Sequence, residues 1–565
     1  MPRILRCFVP LFVLSSLLLT FVSATAESPN HSRCATSLFQ EQKVEAAQTV
    51  LRPSEGGPTE RAASKMMTPP PNPNVGDRWS WYIWRLNGMP EADLLPCTVR
   101  GEGDHCYVVV EDSQWGVNVN QAQVDTILAR FEDHTPGPHP NLGIYDIDTL
   151  AFGMPPDELD NDPKVYILYY DFDVNADGFF WYFDEYPDGT FYFSSNECEV
   201  VYLNCSDNDP AGDYMLAVLA HEFEHMIHWN YDPDESAWVD EGCAELAMWL
   251  YGNPDNISGF NTSPQDPLIV WNGAWTDYIQ TYLWTLYFYE QYGGLPAIRA
   301  VVEEPDSSVF GYNNVLSGLG AGVTFDDVFG DWVVANFVDD PSLADGRYGY
   351  VGDALPTFLS VTHSAYPVGP LSQNQQPTGC KYRKFINGFP MSVYFDGSDN
   401  AVWKPRVIYY SGGSAVAVGE IPLDGANSGD LYLADFGGAH DQVVVTMAHA
   451  SYYGSNGYTY GTESTTDVDG AVPAALRLLP NVPNPFNPST EISFLIDRPG
   501  SVNLTVHDAS GRLVRTLHDG PAPAGLRSVV WDGTDDSGRA VGSGSYLARM
   551  TAGERVETRK ISLVR

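Results

Sequence analysis

HEFEHMIHW, His221 to Trp229, follows the apolar run MLAVLA at 215–220. Residues four apart lie on one face of a helix, so the imidazoles of His221 and His225 point to a single location. Glu222 flanks that location, where a carboxylate can take a proton from a metal-activated water without itself binding the metal. The stretch therefore predicts a metal-binding helix of the H-E-x-x-H type.

The residues around this motif predict that the helix is largely buried. Asp209 and Pro210 supply an N-cap residue and a proline at the first helical position. Apolar residues recur at helical spacing up to Phe223 and Met226. Histidines on so apolar a helix need polar partners. Two of them at this spacing, with a glutamate between them, favour a bound cation over ordinary packing.

A catalytic zinc usually has three protein ligands and one position open to water. A third histidine from the same segment is excluded, because Tyr231 stands where the longer H-E-x-x-H-x-x-G-x-x-H pattern needs histidine. The segment ESAWVDEGCAELAMWLYG, 235–252, predicts a second helix, and its Glu241 is the expected third ligand. Glu245, one turn further, is expected to hold a ligating histidine by its second ring nitrogen. The alternative for these acids is to complement the helix dipole, an interpretation that suits Asp240 and does not suit Glu241.

HEFEHMIH followed by WVDEGCAE resembles the gluzincin metallopeptidases, whose H-E-x-x-H motif is completed by a glutamate in a W-x-(N/D)-E-G-x-A-E helix. Within that group the chain is most similar to hyicolysin-type and immune inhibitor A-like secreted peptidases, with weaker resemblance over residues 100–300. The resemblance implies that His221, His225 and Glu241 bind zinc and that Glu222 is the general base. Aspartate replaces the common asparagine just before Glu241, a departure expected to touch no ligand.

A chain of 565 residues predicts several domains. A basic start, an apolar stretch and a small-residue end predict a secretory signal peptide at 1–26. The polar, proline-rich residues 27–75 read as a pro-segment or linker. The resemblance implies an α+β zincin-type metallopeptidase domain at 76–360. Short strand patterns between turn residues predict an all-β sandwich at 361–470 and an immunoglobulin-like β domain at 476–565.

The net charge of −43 argues against binding to nucleic acid or to anionic membranes. Such a surface suits an extracellular protein that binds divalent cations, and equally one that simply stays soluble. No stretch after the signal peptide is long and apolar enough to span a bilayer. We therefore expect a secreted, extracellular or bacterial cell-surface protein.

Export also predicts disulfide bonds. The pairs that the sequence suggests are Cys97 with Cys106, Cys198 with Cys205, and Cys243 with Cys380. Cys34 is then left over in the pro-segment. Its thiolate could in principle cap the zinc, but the interpretation that we favour from sequence is an unpaired or removed cysteine.

A second metal pattern precedes the zinc helix. In DFDVNADG, the residues Asp173, Asn175 and Asp177 match the start of a calcium-binding loop. Position twelve is Asp184 where glutamate is usual, and the alternative is an acidic turn in a long hairpin. The strand EVVYLN, 199–204, is expected to edge the cleft and to pair with an extended peptide substrate.

Peptide hydrolysis forms a tetrahedral oxyanion, for which a donor besides the metal is expected. Tyr278 and Tyr282, in the aromatic segment WTDYIQTYLW, are the candidates, because related zinc peptidases place a tyrosine on a later helix. His228 is a competing donor, although a hydrogen-bonded core histidine is the preferred interpretation.

The last 90 or so residues, about 476–565, alternate apolar residues with turn signals. They resemble the C-terminal sorting domain of bacterial type nine secretion cargo, itself similar to the immunoglobulin-like domain of flagellar hook-capping proteins. PNPFNPST is the most specific segment of this resemblance. It implies recognition by the outer-membrane secretion machinery. The alternative is a generic adhesion or spacer module.

Two classes of function are compatible with these patterns. The first is a zinc endopeptidase that hydrolyses extracellular proteins, with a protein or peptide as its substrate. The second is a cell-surface binding or adhesion protein with an inactive peptidase-like core. The intact Glu222 favours the first. An aminopeptidase is less favoured, because no GxMEN-like string that would grip a substrate amine is present.

Overall fold

The computed structural model describes residue 34 and residues 72–86, 91–157, 159–190, 193–464, 477–478, 481, 483–496, 500–522, 525–553 and 555–565. The predicted signal peptide lies outside the described residues, as does the predicted pro-segment apart from Cys34 and residues 72–75. The described chain is multidomain and rich in β-structure, with its α-helices between residues 121 and 338.

The first part of the chain is built on a mixed sheet in the order β1-β2-β3-β4-β6-β5. β3, β4 and β6 run parallel, and the other neighbours are antiparallel. The strands are β1 (Arg78–Arg85), β2 (Glu91–Glu102), β3 (Cys106–Glu111), β4 (Val165–Tyr170), β5 (Gly178–Phe180) and β6 (Val200–Asn204).

Side chains alternate between the two faces of this sheet, and both faces are buried. On β4, Val165, Ile167 and Tyr169 join the core formed with the helices. Tyr166 and its alternate neighbours join a second, aromatic-rich core on the other face. This explains why the strand reads as a continuous apolar run, as is typical of strands covered on both faces.

The helices cover one face of the sheet and then form a layer of their own. They are α1 (Gln121–Glu132), α2 (Ile144–Ala151), α3 (Asp213–Tyr231), α4 (Ala237–Tyr251), α5 (Trp275–Tyr292), α6 (Leu295–Val302), α7 (Ser308–Gly318) and α8 (Phe325–Val338). α3 carries the H-E-x-x-H motif and packs against α4, which carries Glu241.

Two local predictions are wrong. Asp209 does not cap α3, because its carbonyl accepts the Gly212 N–H in a turn (2.9 Å) and Gly212 is the N-cap. The strand before the helix, β6, is not the edge of the sheet. β5 pairs outside it in the antiparallel direction and takes the edge position beside α3.

A β-sandwich follows the helices, with one sheet ordered β13-β10-β15-β8 and the other β12-β11-β14-β9-β7. The second sheet packs on α8, where the Tyr382 hydroxyl donates to the Val333 carbonyl at 2.7 Å. The strands are β7 (Ser360–His363), β8 (Leu371–Asn374), β9 (Gly379–Ile386), β10 (Met391–Gly397), β11 (Arg406–Ser411), β12 (Ser414–Glu420), β13 (Ser428–Leu433), β14 (Gln442–His449) and β15 (Gly457–Ser464).

The C-terminal unit has its own core between a sheet ordered β16-β17-β20 and a sheet ordered β19-β18-β21-β22. The strands are β16 (Arg477–Leu478), β17 (Thr490–Ile496), β18 (Gly500–Asp508), β19 (Leu513–Ala522), β20 (Gly525–Trp531), β21 (Gly544–Ala552) and β22 (Arg555–Leu563). Within the described residues no helix has the length and apolarity needed to cross a membrane.

The predicted disulfides are not formed. Cys97, Cys106, Cys198, Cys205, Cys243 and Cys380 are all thiols in the structure. Cys97 and Cys198 point into the aromatic core on one face of the sheet, whereas Cys106 and Cys205 point into the helical core on the other. Members of each predicted hairpin pair are therefore separated by the sheet itself. A disulfide needs Cβ atoms about 3.5–4.5 Å apart.

Candidate metal centre

α3 and α4 bring three ligand atoms together in the interior. His221 Nε2 lies 3.2 Å from His225 Nε2. Glu241 Oε2 lies 3.5 Å from the first of these nitrogens and 3.8 Å from the second. All three residues are at least 97% buried. The two histidines lie together because they are four residues apart on α3. The Glu241 carboxylate lies beside them because α4 packs against α3.

These separations fit a tetrahedral zinc site. With zinc about 2.0–2.1 Å from each ligand atom, tetrahedral angles put neighbouring ligand atoms about 3.3 Å apart. Neither oxygen of the fully buried Glu241 carboxylate has a hydrogen-bond partner among the described residues. A buried polar group without a partner is costly, and a dication at this point would be a partner for this carboxylate and for both imidazoles.

Burial shifts the pKa of two members of the cluster, whereas at His225 the effect of burial is outweighed by Asp240 and Cys34, which raise the pKa well above its usual value. Burial lowers the pKa of His221 to about 4, which keeps the imidazole neutral, the form that binds metal. Burial also raises the pKa of Glu241 to about 8, because the carboxylate has lost its water. A dication beside it would reverse this effect and hold the group ionised.

Two further carboxylates lie against the second ring nitrogens of the histidines. Asp240 Oδ1 lies 2.9 Å from His225 Nδ1, and Glu245 Oε1 lies 3.5 Å from His221 Nδ1. The expectation that Asp240 touches no ligand is wrong, because the first turn of α4 faces α3 directly. Glu245 lies on the predicted side of His221, but the contact is not a hydrogen bond, because His221 Nδ1 has no hydrogen-bond partner among the described residues.

Glu222 is fully buried and follows His221 at the wall of the cavity. The edge strand β5 passes close to it: a Cβ at Gly178 would lie 2.8 Å from Glu222 Cγ. Only a glycine allows the backbone to approach the carboxylate this closely. The edge of the sheet and the candidate base therefore border the same space.

A cavity opens on one side of the ligand cluster. Acids and aromatic rings predominate in its lining, which consists of Cys34, Asp177, Tyr214, Val218, His221, Glu222, Glu245, Met248, Asp255, Trp275 and Tyr278. Tyr214 lies on the same face of α3 as Val218 and His221, a helical spacing that the sequence already contained. The sequence gives no local indication that Asp177 lines the cavity. Asp177 reaches the cavity because it directly precedes β5, which lies beside α3.

The structure separates the two candidate tyrosines. Tyr278 lines the cavity. Tyr282, one turn further along α5, is buried and donates its hydroxyl to Asp353 Oδ2 at 2.9 Å, outside the cavity lining. Its selection as an oxyanion donor is therefore wrong. His228 is a core histidine, with Nδ1 at 3.1 Å from Glu224 Oε1.

The three predicted calcium ligands have different surroundings. Asp173 is exposed and accepts the Leu86 N–H at 2.8 Å, and Asn175 is also exposed. Asp177 is buried and accepts the Tyr214 hydroxyl at 2.5 Å. The pattern belongs to the turn that leads into β5.

Comparison with known families concerns the C-terminal unit. Residues 487–555 match the family model of the FlgD Ig-like domain. Over 51 residues the chain is 43% identical to the basal-body rod modification protein FlgD of Salmonella typhimurium and of Salmonella typhi, covering 9% of this chain and 22% of each relative. The chain thus spans about a fifth of the length of these curated relatives. The predicted hook-capping-type immunoglobulin-like domain is confirmed at these residues.

Several solved structures show limited similarity. FlgD from P. aeruginosa is 25% identical, with 13% of this chain and 57% of that chain covered and a TM-score of 0.11. PorZ, a surface component of the type-IX secretion system of Porphyromonas gingivalis, is 15% identical, with coverages of 27% and 21% and a TM-score of 0.13. Dimeric latent PorU from Porphyromonas gingivalis is 16% identical, with coverages of 37% and 19% and a TM-score of 0.18.

Proposed function

We propose that this chain is a secreted zinc endopeptidase. The observation that carries the proposal is the convergence of His221, His225 and Glu241 on one point, with Glu222 beside it at the cavity. Two histidines and a glutamate with a neighbouring carboxylate are typical of catalytic zinc sites, whereas structural zinc sites usually have at least two cysteines among their four ligands.

The zinc, when bound, would polarise the scissile carbonyl and make water nucleophilic at neutral pH. Glu222 is placed to take the proton of that water and to return it to the leaving amine. The Tyr278 side chain lines the same cavity and is the proposed donor to the oxyanion. Burial of the ligand cluster keeps bulk water from competing with these interactions.

The sequence favours cleavage within a chain rather than at its end, because it contains no GxMEN-like string that would bind a substrate amine. β5 is the last strand in the order of its sheet, and Gly178 brings it next to Glu222. An endopeptidase is therefore preferred over an aminopeptidase.

The C-terminal unit is proposed to act as an export address. It carries a FlgD-type immunoglobulin-like domain and no part of the metal centre. By its resemblance to the sorting domains of type nine cargo, we propose that outer-membrane secretion machinery reads it. This would place the enzyme outside the cell or at its surface.

Zinc analysis combined with casein hydrolysis tests the proposed function. The full chain is assayed before and after limited proteolysis, because residues 27–75 read as a pro-segment. We expect one bound zinc per chain and hydrolysis that a chelator abolishes and added zinc restores. Bound zinc without hydrolysis in either state would favour the binding protein, and a chain that takes up no zinc would contradict both the site and the enzyme.

Asp240 is expected to position His225 through its second nitrogen. Replacing Asp240 by alanine should weaken zinc binding about 10–100-fold, the usual cost of losing such a partner. Asp240→Asn keeps an oxygen at this position and is the matched control, expected to bind zinc within a few-fold of the wild type. Competition with a zinc chelator measures both. Equal affinity of the alanine variant and the wild type would show that the 2.9 Å contact has no role in positioning.

A further inference from the structure

We infer that Cys34 is a fourth ligand of the metal and holds the enzyme latent until the segment that carries it is removed. Cys34 Sγ lies 3.6 Å from His225 Nε2 and donates to Glu222 Oε2 at 3.3 Å. Ligand atoms of Cys34, His221, His225 and Glu241 all lie within 4.8 Å of one another. This inference rests on the proposed function and concerns the regulation of the same site.

The distances suit a thiolate on zinc. A zinc–sulfur bond of about 2.3 Å and a zinc–nitrogen bond of about 2.0–2.1 Å at a tetrahedral angle separate sulfur and nitrogen by about 3.6 Å. The contact between Cys34 and His225 has this length. A second observation is independent of the cysteine. The Glu241 carboxylate, fully buried and without a hydrogen-bond partner in the described part of the chain, is directed at the same point.

The position of the sulfur explains how it would block the reaction. A catalytic zinc needs its fourth position for water, and that water must lie within hydrogen-bond reach of its base. Cys34 Sγ occupies this place, because it contacts both a ligand nitrogen and the Glu222 carboxylate. On metal binding the thiol proton is released to solvent. The resulting thiolate excludes the nucleophile and shields the base.

Release of the cysteine follows from the order of the chain. Cys34 precedes Arg78, the first residue of β1, and lies in the segment read as a pro-segment. Hydrolysis of any peptide bond between the two consumes one water and leaves a new carboxyl and a new amine. Cys34 is then no longer tethered, and its effective concentration falls from the millimolar range of a linked ligand to that of a free peptide. Water can then replace it.

X-ray absorption at the zinc edge tests the ligand directly. The full chain, Cys34→Ala and the control Cys380→Ala are each loaded with zinc. Cys380 is a buried thiol in the β-sandwich. We expect a sulfur neighbour at about 2.3 Å in the wild type and the control, and only nitrogen and oxygen neighbours in Cys34→Ala. A wild type without sulfur, or a sulfur that persists in Cys34→Ala, would overturn the assignment.

Casein hydrolysis by the uncleaved chains tests the latency. Cys34→Ala is expected to be at least about tenfold faster than the wild type, because a linked ligand at millimolar effective concentration keeps the site closed. After limited proteolysis the two rates should converge. Equal rates before cleavage, with zinc bound and hydrolysis present, would overturn latency while leaving the peptidase intact. Absence of zinc from all three chains would instead defeat the proposed function.

Discussion

Replacing Glu222 by glutamine is expected to lower casein hydrolysis by about 10²–10⁴-fold, the usual contribution of a general base, while zinc content stays at one per chain. Glutamine has the same shape but cannot accept the proton of the attacking water. Glu222 is proposed to lie beside the metal without being one of its ligands, so the variant should still bind zinc. Both chains are assayed after limited proteolysis, with zinc measured on the same samples.

Glu224→Gln is the matched control for this change. It removes a carboxylate two residues away on the same helix, where Glu224 contacts His228, lies 3.9 Å from His225 Nδ1 and is outside the cavity lining. The control should keep most of its activity. Full activity in Glu222→Gln would contradict the proposed role of the base, and loss of zinc from that variant would place Glu222 among the ligands instead.

Replacing Glu241 by glutamine is expected to weaken zinc binding by more than about 100-fold, beyond the 10–100-fold typical of residues that only support a ligand. The amide is neutral and is a poorer ligand than the carboxylate. A ligand that binds only the folded chain raises its melting temperature. Added zinc should therefore stabilise the wild type and leave Glu241→Gln unchanged.

Thermal unfolding with and without zinc measures this difference. Glu303→Gln, which changes a carboxylate at the exposed end of α6, should show the same zinc-dependent shift as the wild type. A full zinc shift in Glu241→Gln would mean that α4 supplies no essential ligand, and the third ligand would have to be sought elsewhere.

The helical spacing of α3 accounts for most of what the sequence predicted about the site. His221, Glu222 and His225 occupy one short motif, so their relative positions follow from helix geometry alone. Glu241 lies on another helix, and its placement depended on a family resemblance. The structure puts its carboxylate within 3.8 Å of both histidines.

The contacts that could not be predicted from the sequence are those between elements that are distant along the chain. Asp177 was predicted to bind calcium because it matches the start of a calcium-binding loop, whereas in the structure it accepts hydrogen bonds from the Tyr214 hydroxyl on α3 and from the Asn208 side chain. Asp240 was read as a helix-dipole residue, but α4 turns it towards His225. β5 is a short strand that pairs with β6 in the antiparallel direction, and this pairing puts it at the end of the sheet order. None of these contacts is local.

The predicted pairing of Cys198 with Cys205 is wrong for a reason that follows from strand geometry. Successive residues of a strand point to opposite faces. Cys198 and Cys205 flank β6 at an odd separation, so they face opposite cores. Closeness in sequence therefore did not place the two sulfur atoms on one side of the sheet. The same reasoning was available before the structure.

The central claim is that two imidazoles from α3 and one carboxylate from α4 hold a single zinc ion. A crystal of the zinc-loaded chain, measured on both sides of the zinc absorption edge, tests it most directly. We expect one strong anomalous peak about 2.0–2.2 Å from His221 Nε2, His225 Nε2 and a Glu241 oxygen. A peak at the neighbouring group of Glu224, His228 and Cys243, or no peak near Glu241, would contradict the claim.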